Sequence, residues 1–507
     1  MAQTTPTQQQ PAPDVRPWPA LFALCLGFFM ILVDTTIVTV ATPAIISDLH
    51  ADVNSVVWVT SAYLLAYAVP VLITGRLGDR FGPKRLYLIG LTIFTLASLW
   101  CGLTTSIEML IVARVFQGFG AAMMTPQTMS VITRIFPAEK RGQAMALWGA
   151  TAGVATLIGP ILGGILVGAL GWEWIFFINI PVGVIGFVLA VRLVPTLETR
   201  MHKFDWVGVA LSGVGMFLLV FGIQQGHKYH WSAWVLTSII GGLVVFTVFV
   251  LWQRVNRQEP LVPLSLFGDR NFSISSFAIS SMSFTATAMG FPVMLYAQLV
   301  RGDSPLESAL LFVPMAVMSI ILAPIVGRFT DKVHPRVLTG GGFAITAVSI
   351  FALSRVLTAD APVWHILVAF GLLGIGMAGI WAPLAATATR NLPMHLAGAG
   401  SGVYNATRQV GAVLGSAAIA VLIDSRIAAH GLSGGAEPDG QLQQLPLPVR
   451  APFSAAMSDT LLLPVAILAL GFVSVLFFAL PRHLTARNAA VSDPAAARQP
   501  ATSPALD

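Results

Sequence analysis

Long apolar runs separated by short polar connectors fill the chain from residue 18 to residue 480. Fourteen can be marked, at 18–46, 55–75, 86–104, 107–127, 142–168, 173–193, 205–225, 232–252, 271–299, 306–328, 336–357, 363–385, 397–424 and 460–480. A helix of about 20 residues crosses the ~30 Å hydrocarbon core of a bilayer, so each run predicts a membrane-spanning helix. The pattern predicts an all-α polytopic membrane protein. Residues 425–459 form the one long connector, rich in Gly and Pro, and the tails 1–17 and 485–507 are Ala, Pro, Ser, Thr and Gln without apolar periodicity, which reads as disordered.

Composition supports the pattern. The 507 residues are 56% hydrophobic and only 10% charged, with a mean hydropathy of +0.79. Soluble domains carry about 25% charged residues, so this chain cannot cover a water-facing surface. The net charge of +6 would suggest nucleic acid in a soluble protein. Here the basic residues gather in alternate connectors, which instead predicts both termini in the cytoplasm, 425–459 as an outer loop, and a multi-pass plasma-membrane location. Cys25 and Cys101 both fall inside apolar runs and read as packing residues.

The connector GRLGDRFGPKRL (75–86) has a second copy, GRFTDKVHPRVL (327–338). A weaker pair, RGQAMALWGATAGVATLIGP (141–160) and AGAGSGVYNATRQVGAVLGS (397–416), lies at nearly the same separation and matches Trp148 with Tyr404 and Gly159 with Gly415. Two matches at one separation predict two homologous halves in the same orientation, a recurring transporter architecture with the substrate site at their interface. The surplus pair of runs then becomes an insertion. The expected organisation is a six-helix bundle at 18–193, an inserted helix pair at 205–252 and a second six-helix bundle at 271–480.

Charges inside the runs are the candidate chemistry. Asp34 is the one acid deep in a span, where ionisation costs at least ~2.5–3.5 kcal/mol, so it must pair, face a cavity or protonate. Arg114 stands at a comparable depth and is a candidate partner. Asp34 can carry a proton that leaves as a cation approaches, or be a static carboxylate bonded to hydroxyls such as Thr36 or Thr39. Ser401, Asn405, Arg408, Ala412 and Gly415 share one face of the thirteenth run, which places Asn405 and Arg408 toward a substrate pathway. Arg408 can bind anionic substrate groups, act as counter-charge, or make a structural pair. Gly149, Gly153, Pro160 and Gly164 give the fifth run a small-residue face that admits close helix approach.

The stretches now converge on a family. Residues 75–85 resemble the cytoplasmic loop motif of the major facilitator superfamily, and RVFQGFGAA (114–122) its fourth-helix motif. GVATLIGPILGG (153–164) is similar to the fifth-helix signature of its antiporters. LVDTTIVTVATPAI (32–45) and GWEWIFFINIPVG (171–183) narrow the resemblance to the fourteen-span drug:proton antiporters of the EmrB/QacA type. Two departures are Glu173, where that family usually has a basic residue, and His334, where the first loop copy has Gly82.

The resemblance implies the major facilitator fold and proton-coupled export of drugs or other amphipathic small molecules by alternating access. It implies a latch at a cytoplasmic gate formed by Gly75, Asp79, Arg80, Gly82, Lys84, Arg85, Asp331, Lys332 and Arg336, the alternative being a solvated basic turn that only sets topology. Proton coupling at Asp34 with Arg114 is the reading of the residues themselves, the alternative being two unrelated charges satisfied elsewhere. The antiporter helix would be marked by Gly153, Gly159, Pro160, Gly163 and Gly164. A dedicated exporter of one metabolite, lipid or antibiotic is the alternative, and a membrane receptor or scaffold the alternative of another class. No enzyme is expected: there is no intramembrane carboxylate pair, metal-spaced His cluster or phosphate-cradling loop. The expected partners are the bilayer, an amphipathic small molecule and protons, without nucleic acid, metal or cofactor, and a periplasmic adaptor is left open.

Overall fold

In the computed structural model the protein is helical, and the structure describes residues 16–136, 138–197, 199, 205–226, 229–256, 260–330, 333–390, 392, 397–432 and 444–479. The first helices are α1 (Pro17–Asp48), α2 (Val53–Phe81), α3 (Pro83–Gly102), α4 (Ile107–Ile135), α5 (Ala138–Leu170), α6 (Trp174–Phe177) and α7 (Asn179–Leu193). Then come α8 (Trp206–Gln225), α9 (Ala233–Val255), α10 (Arg270–Leu295), α11 (Pro305–Leu310), α12 (Val313–Thr330) and α13 (Pro335–Val356). The last are α14 (Val363–Ala378), α15 (Trp381–Arg390), α16 (Ala397–Ala429), α17 (Leu447–Thr460) and α18 (Leu462–Val475). Thirteen helical stretches have 18 or more residues and are apolar enough to cross a membrane, and α5 adds a shorter apolar run, Ile158–Leu170. With α5 the described residues carry fourteen spans, five of which (α6–α7, α10 with its π-helical end Tyr296–Arg301, α11–α12, α14–α15 and α17–α18) are broken or change helix type along their length.

Helix ends are set by local chemistry. Asp52, Ser106, Asp205 and Asp269 each accept a hydrogen bond from a first-turn backbone N–H, and Ser304 with Glu307 forms a capping box. Between α2 and α3 the predicted connector shrinks to one residue. Gly82 turns at φ +96, Pro83 starts the next helix, and Arg76, Asp79 and Arg80 ride on the last two turns of α2. The long connector expected at 425–459 also narrows, because α16 continues to Ala429 and α17 begins at Leu447. The final span therefore starts well before residue 460, in a segment whose Pro, Ser and Arg content masked it as loop.

Backbone contacts repeat at corresponding positions. A Cβ on Gly90 of α3 would lie 2.8 Å from the Gly120 carbonyl oxygen of α4, and one on Gly342 of α13 would lie 2.9 Å from that of Gly376 of α14. Gly118 of α4 meets the Tyr63 carbonyl of α2, as Gly374 of α14 meets the Met315 carbonyl of α12. Gly159 of α5 packs on Val33 and Thr36 of α1, as Gly415 of α16 packs on Phe284 of α10. These matches pair α1 with α10, α2 with α12, α3 with α13, α4 with α14 and α5 with α16.

The hairpin α8–α9 stands outside this scheme. Only 17% of the α9 span is buried, against 72% of the α2 and α10 spans, so its apolar residues face lipid. Asp205 closes its base, accepting from Trp252 Nε1 at 2.7 Å, Gln253 Nε2 at 2.8 Å and the Leu261 N–H at 3.3 Å, besides its capping bond to Gly208. Burial pushes the Asp205 carboxyl up, but these bonds together hold it below the ordinary aspartate value.

Candidate functional site

Asp34 sits midway along α1, fully buried, and faces the interior of the first six spans. Arg114 of α4 donates from Nη1 to Asp34 Oδ2 at 2.5 Å. The other carboxylate oxygen, Oδ1, accepts from Gln117 Nε2 at 2.8 Å and Asn179 Nδ2 at 3.1 Å. Ser98 of α3 closes the ring, accepting from Asn179 at 2.9 Å and from Gln117 at 3.3 Å, and donating to the Phe176 carbonyl. Four spans thus converge on one carboxylate. All five side chains are at most 2% exposed.

Arg114 has acceptors besides Asp34. Its Nη1 also donates to Gln117 Oε1 at 2.7 Å and its Nε to the Val59 carbonyl of α2 at 3.1 Å. The guanidinium lies over the Tyr63 ring, 4.0 Å from its centroid, a favourable cation–π placement. Such further bonds offset part of the cost of burying the ion pair, although Arg114 Nη2 is buried without an acceptor. Protonating Asp34 would break its bond to Arg114 without stranding the cation.

The expected Asp34–Arg114 pair is therefore assembled, and the hydroxyl alternative is not: Thr36 donates to Leu32 and Val33 carbonyls, and Thr39 to that of Thr36. Gln117, Asn179, Ser98 and Tyr63 were not singled out from sequence. Two signals existed. Gln117 follows Arg114 by one helical turn in RVFQGFGAA, and Asn179 lies in GWEWIFFINIPVG, where the α6–α7 break turns it inward.

The gate candidates separate. Gly78 lies against Gln127 of α4, Gly75 against Pro126, and Gly82 takes the positive φ of the turn. Lys84 donates to the Val191 carbonyl at 2.7 Å, and Arg336, its counterpart, from Nε to the Phe478 carbonyl at 2.7 Å. Both bonds stay within one half and fasten the end of its last span. Arg76 donates to the Pro260 carbonyl, tying α2 to the segment after the hairpin. Arg80 lies beside the Phe81 ring, and Arg85 is exposed. Asp331 and Lys332 lie outside the described residues, as does the side chain of Asp79.

The α5 candidates divide between two neighbours. Gly159 and Gly163 abut α1 at Thr36 and Ile37, and Pro160 is buried beside them. Gly164 abuts the backbone of Pro305 and Leu306 in α11, across the two halves. Gly153 lies in the helix, but its surroundings are outside the described residues. Other contacts between the halves are Ser61–Ser416 at 2.6 Å, Gln298 to the Val40 carbonyl at 3.2 Å, and Gly290 against Thr39. All lie toward the far face, opposite the terminal face where α1 begins.

That far face carries a cavity of about 680 Å³, lined among others by Asp48, Trp172, Glu173, Gln298, Asp303 and Gln444. Its acids are partly engaged: Asp48 accepts from Trp172 Nε1 at 2.8 Å, and Asp303 pairs with Arg301 at 2.8 Å. Among the described residues no cluster of His, Cys, Asp and Glu could hold a metal ion. Asn405 and Arg408 lie on α16, both partly buried, nearer the terminal face than Ser416.

Comparison with known proteins agrees with this architecture. The family model described as Major Facilitator Superfamily matches residues 24–416. An uncharacterised MFS-type transporter of Mycobacterium tuberculosis is 53% identical, covering 91% of this chain and 81% of its own. The tetracenomycin C resistance and export protein of Streptomyces glaucescens is 36% identical, covering 81% of this chain and 77% of its own. The multidrug export protein EmrB of Haemophilus influenzae is 31% identical, covering 80% of this chain and 81% of its own.

Proposed function

The chain belongs to the major facilitator superfamily, and from that premise we propose that it is a proton-coupled antiporter. It exports drugs or other amphipathic small molecules across the plasma membrane by alternating access. The terminal face is cytoplasmic in this reading, consistent with the basic residues at that end. The contacts between the halves toward the far face support reading the arrangement as inward-facing. The export names of the two relatives above support the direction of transport.

The observation that carries the reading is the Asp34 cluster. α1 holds Asp34 on one side and Thr39, which touches α10, five residues later on the opposing side. A proton entering the cluster converts the carboxylate to a carboxyl and removes its charge-assisted bond to Arg114. Arg114 keeps Gln117 and Val59, while α1 loses its strongest tie to α4. The freed helix can then shift against α10, and the rearrangement passes to the interface of the halves. Release of the proton restores the pair and resets α1.

The test is proton release by the purified protein on adding a transported substrate. Asp34→Asn retains a hydrogen-bonding side chain but cannot exchange the proton, so substrate-induced release and gradient-driven flux should both vanish while the protein inserts normally. Undiminished proton release from Asp34→Asn would remove Asp34 from the coupling step.

A further inference from the structure

Both halves hold buried polar atoms without partners, Arg114 Nη2 among them, but in the second half they gather around a cation that has no carboxylate among the described residues. On α16 Tyr404 is only 6% exposed, and its hydroxyl has no hydrogen-bond partner. One turn on, Arg408 has a buried Nε without a partner, and no carboxylate among the described residues pairs with its guanidinium. On α10 the hydroxyls of Ser276 and Ser283 are likewise buried and unpartnered. Ser276, Ser280 and Ser283 recur at spacings of four and three, on one helix face. That face meets α16, because the backbone of Ser280 abuts Gly411 and that of Phe284 abuts Gly415. The same register carried toward the terminal face sets Arg408 and Tyr404 beside residues 273–277.

Arg408 is partly exposed, which leaves a ligand a way to reach it. Ser416, bonded to Ser61 of the first half, closes α16 against α2. Arg408 lies eight residues nearer the terminal face, about 12 Å along the helix, and is itself partly exposed although Ala406 and Val410 on either side still pack against the first half. The unpartnered groups at this level are a guanidinium N–H and the hydroxyls of Tyr404 and Ser276, so they supply donors around a fixed positive charge. Buried donors of this kind are costly unless an acceptor meets them. A cationic ligand would meet repulsion from Arg408 and find no compensating carboxylate, since Asp34 is enclosed by Arg114, Gln117 and Asn179.

We infer that α10 and α16 form a binding site for the anionic group of the substrate, and that the transported molecules are amphipathic organic anions carrying a carboxylate or ionised phenol on an apolar body. Arg408 binds the charge, the Tyr404 and Ser276 hydroxyls donate to the same group, and the apolar body lies against the surrounding span residues. This inference rests on the export reading and adds the charge of the cargo.

Two xanthene dyes of similar body and opposite charge, fluorescein and rhodamine 6G, test it. Binding to the purified protein in discs of zwitterionic lipid is followed by fluorescence anisotropy without any gradient, so failure of proton coupling leaves the readout intact. Fluorescein should bind at least about tenfold more tightly than rhodamine 6G, as one charge-assisted bond allows. Arg408→Gln should remove that preference, Arg408→Lys should keep most of it, and Tyr404→Phe should weaken fluorescein a few-fold. Should Arg408→Gln fail to fold, the Lys and Phe variants still decide. Equal binding of the two dyes, preference for rhodamine 6G, binding of neither, or indifference of fluorescein to the Tyr404 and Arg408 changes overturns the assignment. Loss of fluorescein binding as phosphatidylglycerol is added to the discs would make a lipid headgroup the occupant and overturn it as well.

Discussion

The two halves share a backbone plan and differ in what fills it. In the first half Ser98, Arg114 and Gln117 converge on Asp34. The glycine contacts place Ile350 where Ser98 stands, Phe370 where Arg114 stands and Leu373 where Gln117 stands. These three are buried in one apolar cluster, in which Phe370 packs on Phe312 with centroids 4.6 Å apart. Asp34 itself corresponds to Thr285, whose hydroxyl is satisfied by the Ser281 carbonyl within its own helix. On the other side of the comparison, Arg408 has Ala152 as its counterpart and Tyr404 has Trp148. One scaffold thus accepts an ionic cluster or an apolar one at the same place. The cluster in the first half is therefore not needed to hold such a bundle together, which is what the coupling role predicts.

The largest effect should come from breaking that cluster on one side only. Arg114→Ala leaves a buried carboxylate without its cation, a loss of about 3–5 kcal/mol for this kind of pair. Thermal unfolding in detergent should shift down sharply and flux should be lost. Copying the second half with Asp34→Thr and Arg114→Phe together should recover most of the stability, because no charge is stranded, while coupling stays absent. If the double variant is as unstable as Arg114→Ala, the ionic cluster is a folding requirement and the comparison between halves fails.

Much of this comparison was visible in the chain before its structure. Apolar runs of bilayer length stand out against any background, and a deep Asp with an Arg at comparable depth inside them is too costly to be incidental. Gln117, Asn179 and Ser98 were hidden because a neutral polar residue in an apolar run costs too little to announce a partner. Their convergence depends on four helices meeting, which periodicity does not encode. The matched contacts of Gly90–Gly120 and Gly342–Gly376 were hidden for the opposite reason, since glycine is common along the whole chain. Helix ends were misplaced where helices outrun the bilayer: α2 carries Arg76 and Arg80 beyond its apolar run, and α17 begins in a Pro- and Ser-bearing stretch.

The inserted hairpin sharpens the comparison, because it has no counterpart in either half and depends on one carboxylate at its base. Asp205→Ala removes acceptors from Trp252, Gln253 and the Gly208 and Leu261 N–H groups, and should cost about 1–3 kcal/mol locally. Its folded carboxyl titrates below the unfolded value of about 3.9. The clasp is thus fully present above that value and is lost as pH falls further, through the folded value. Amide exchange at Leu261 and Val262 should rise in Asp205→Ala at neutral pH, and rise in the wild type only in strong acid. Unchanged exchange in the variant would mean that packing of α8 on α9, and not Asp205, holds the hairpin base.

The smallest effect concerns what the halves have in common. Lys84 and Arg336 stand at matching places in the two copies of the charged connector, and each donates to a carbonyl at the end of the last span in its own half. A cation at a helix C-terminus contributes about 0.3–1 kcal/mol, more for a partly buried one. Lys84→Ala and Arg336→Ala should therefore each lower stability slightly and by similar amounts, with Arg336 the larger because Lys84 sits in a more exposed bond. Neither should change spin-label distances across the terminal face, since neither bond crosses between the halves. Arg76 reaches the Pro260 carbonyl beyond the hairpin and so links separate parts of the chain. Arg76→Ala should shift those distances where Lys84→Ala does not. If all three variants shift them alike, the charged connector acts as one gate, and its division into helix fasteners and a link between parts is wrong.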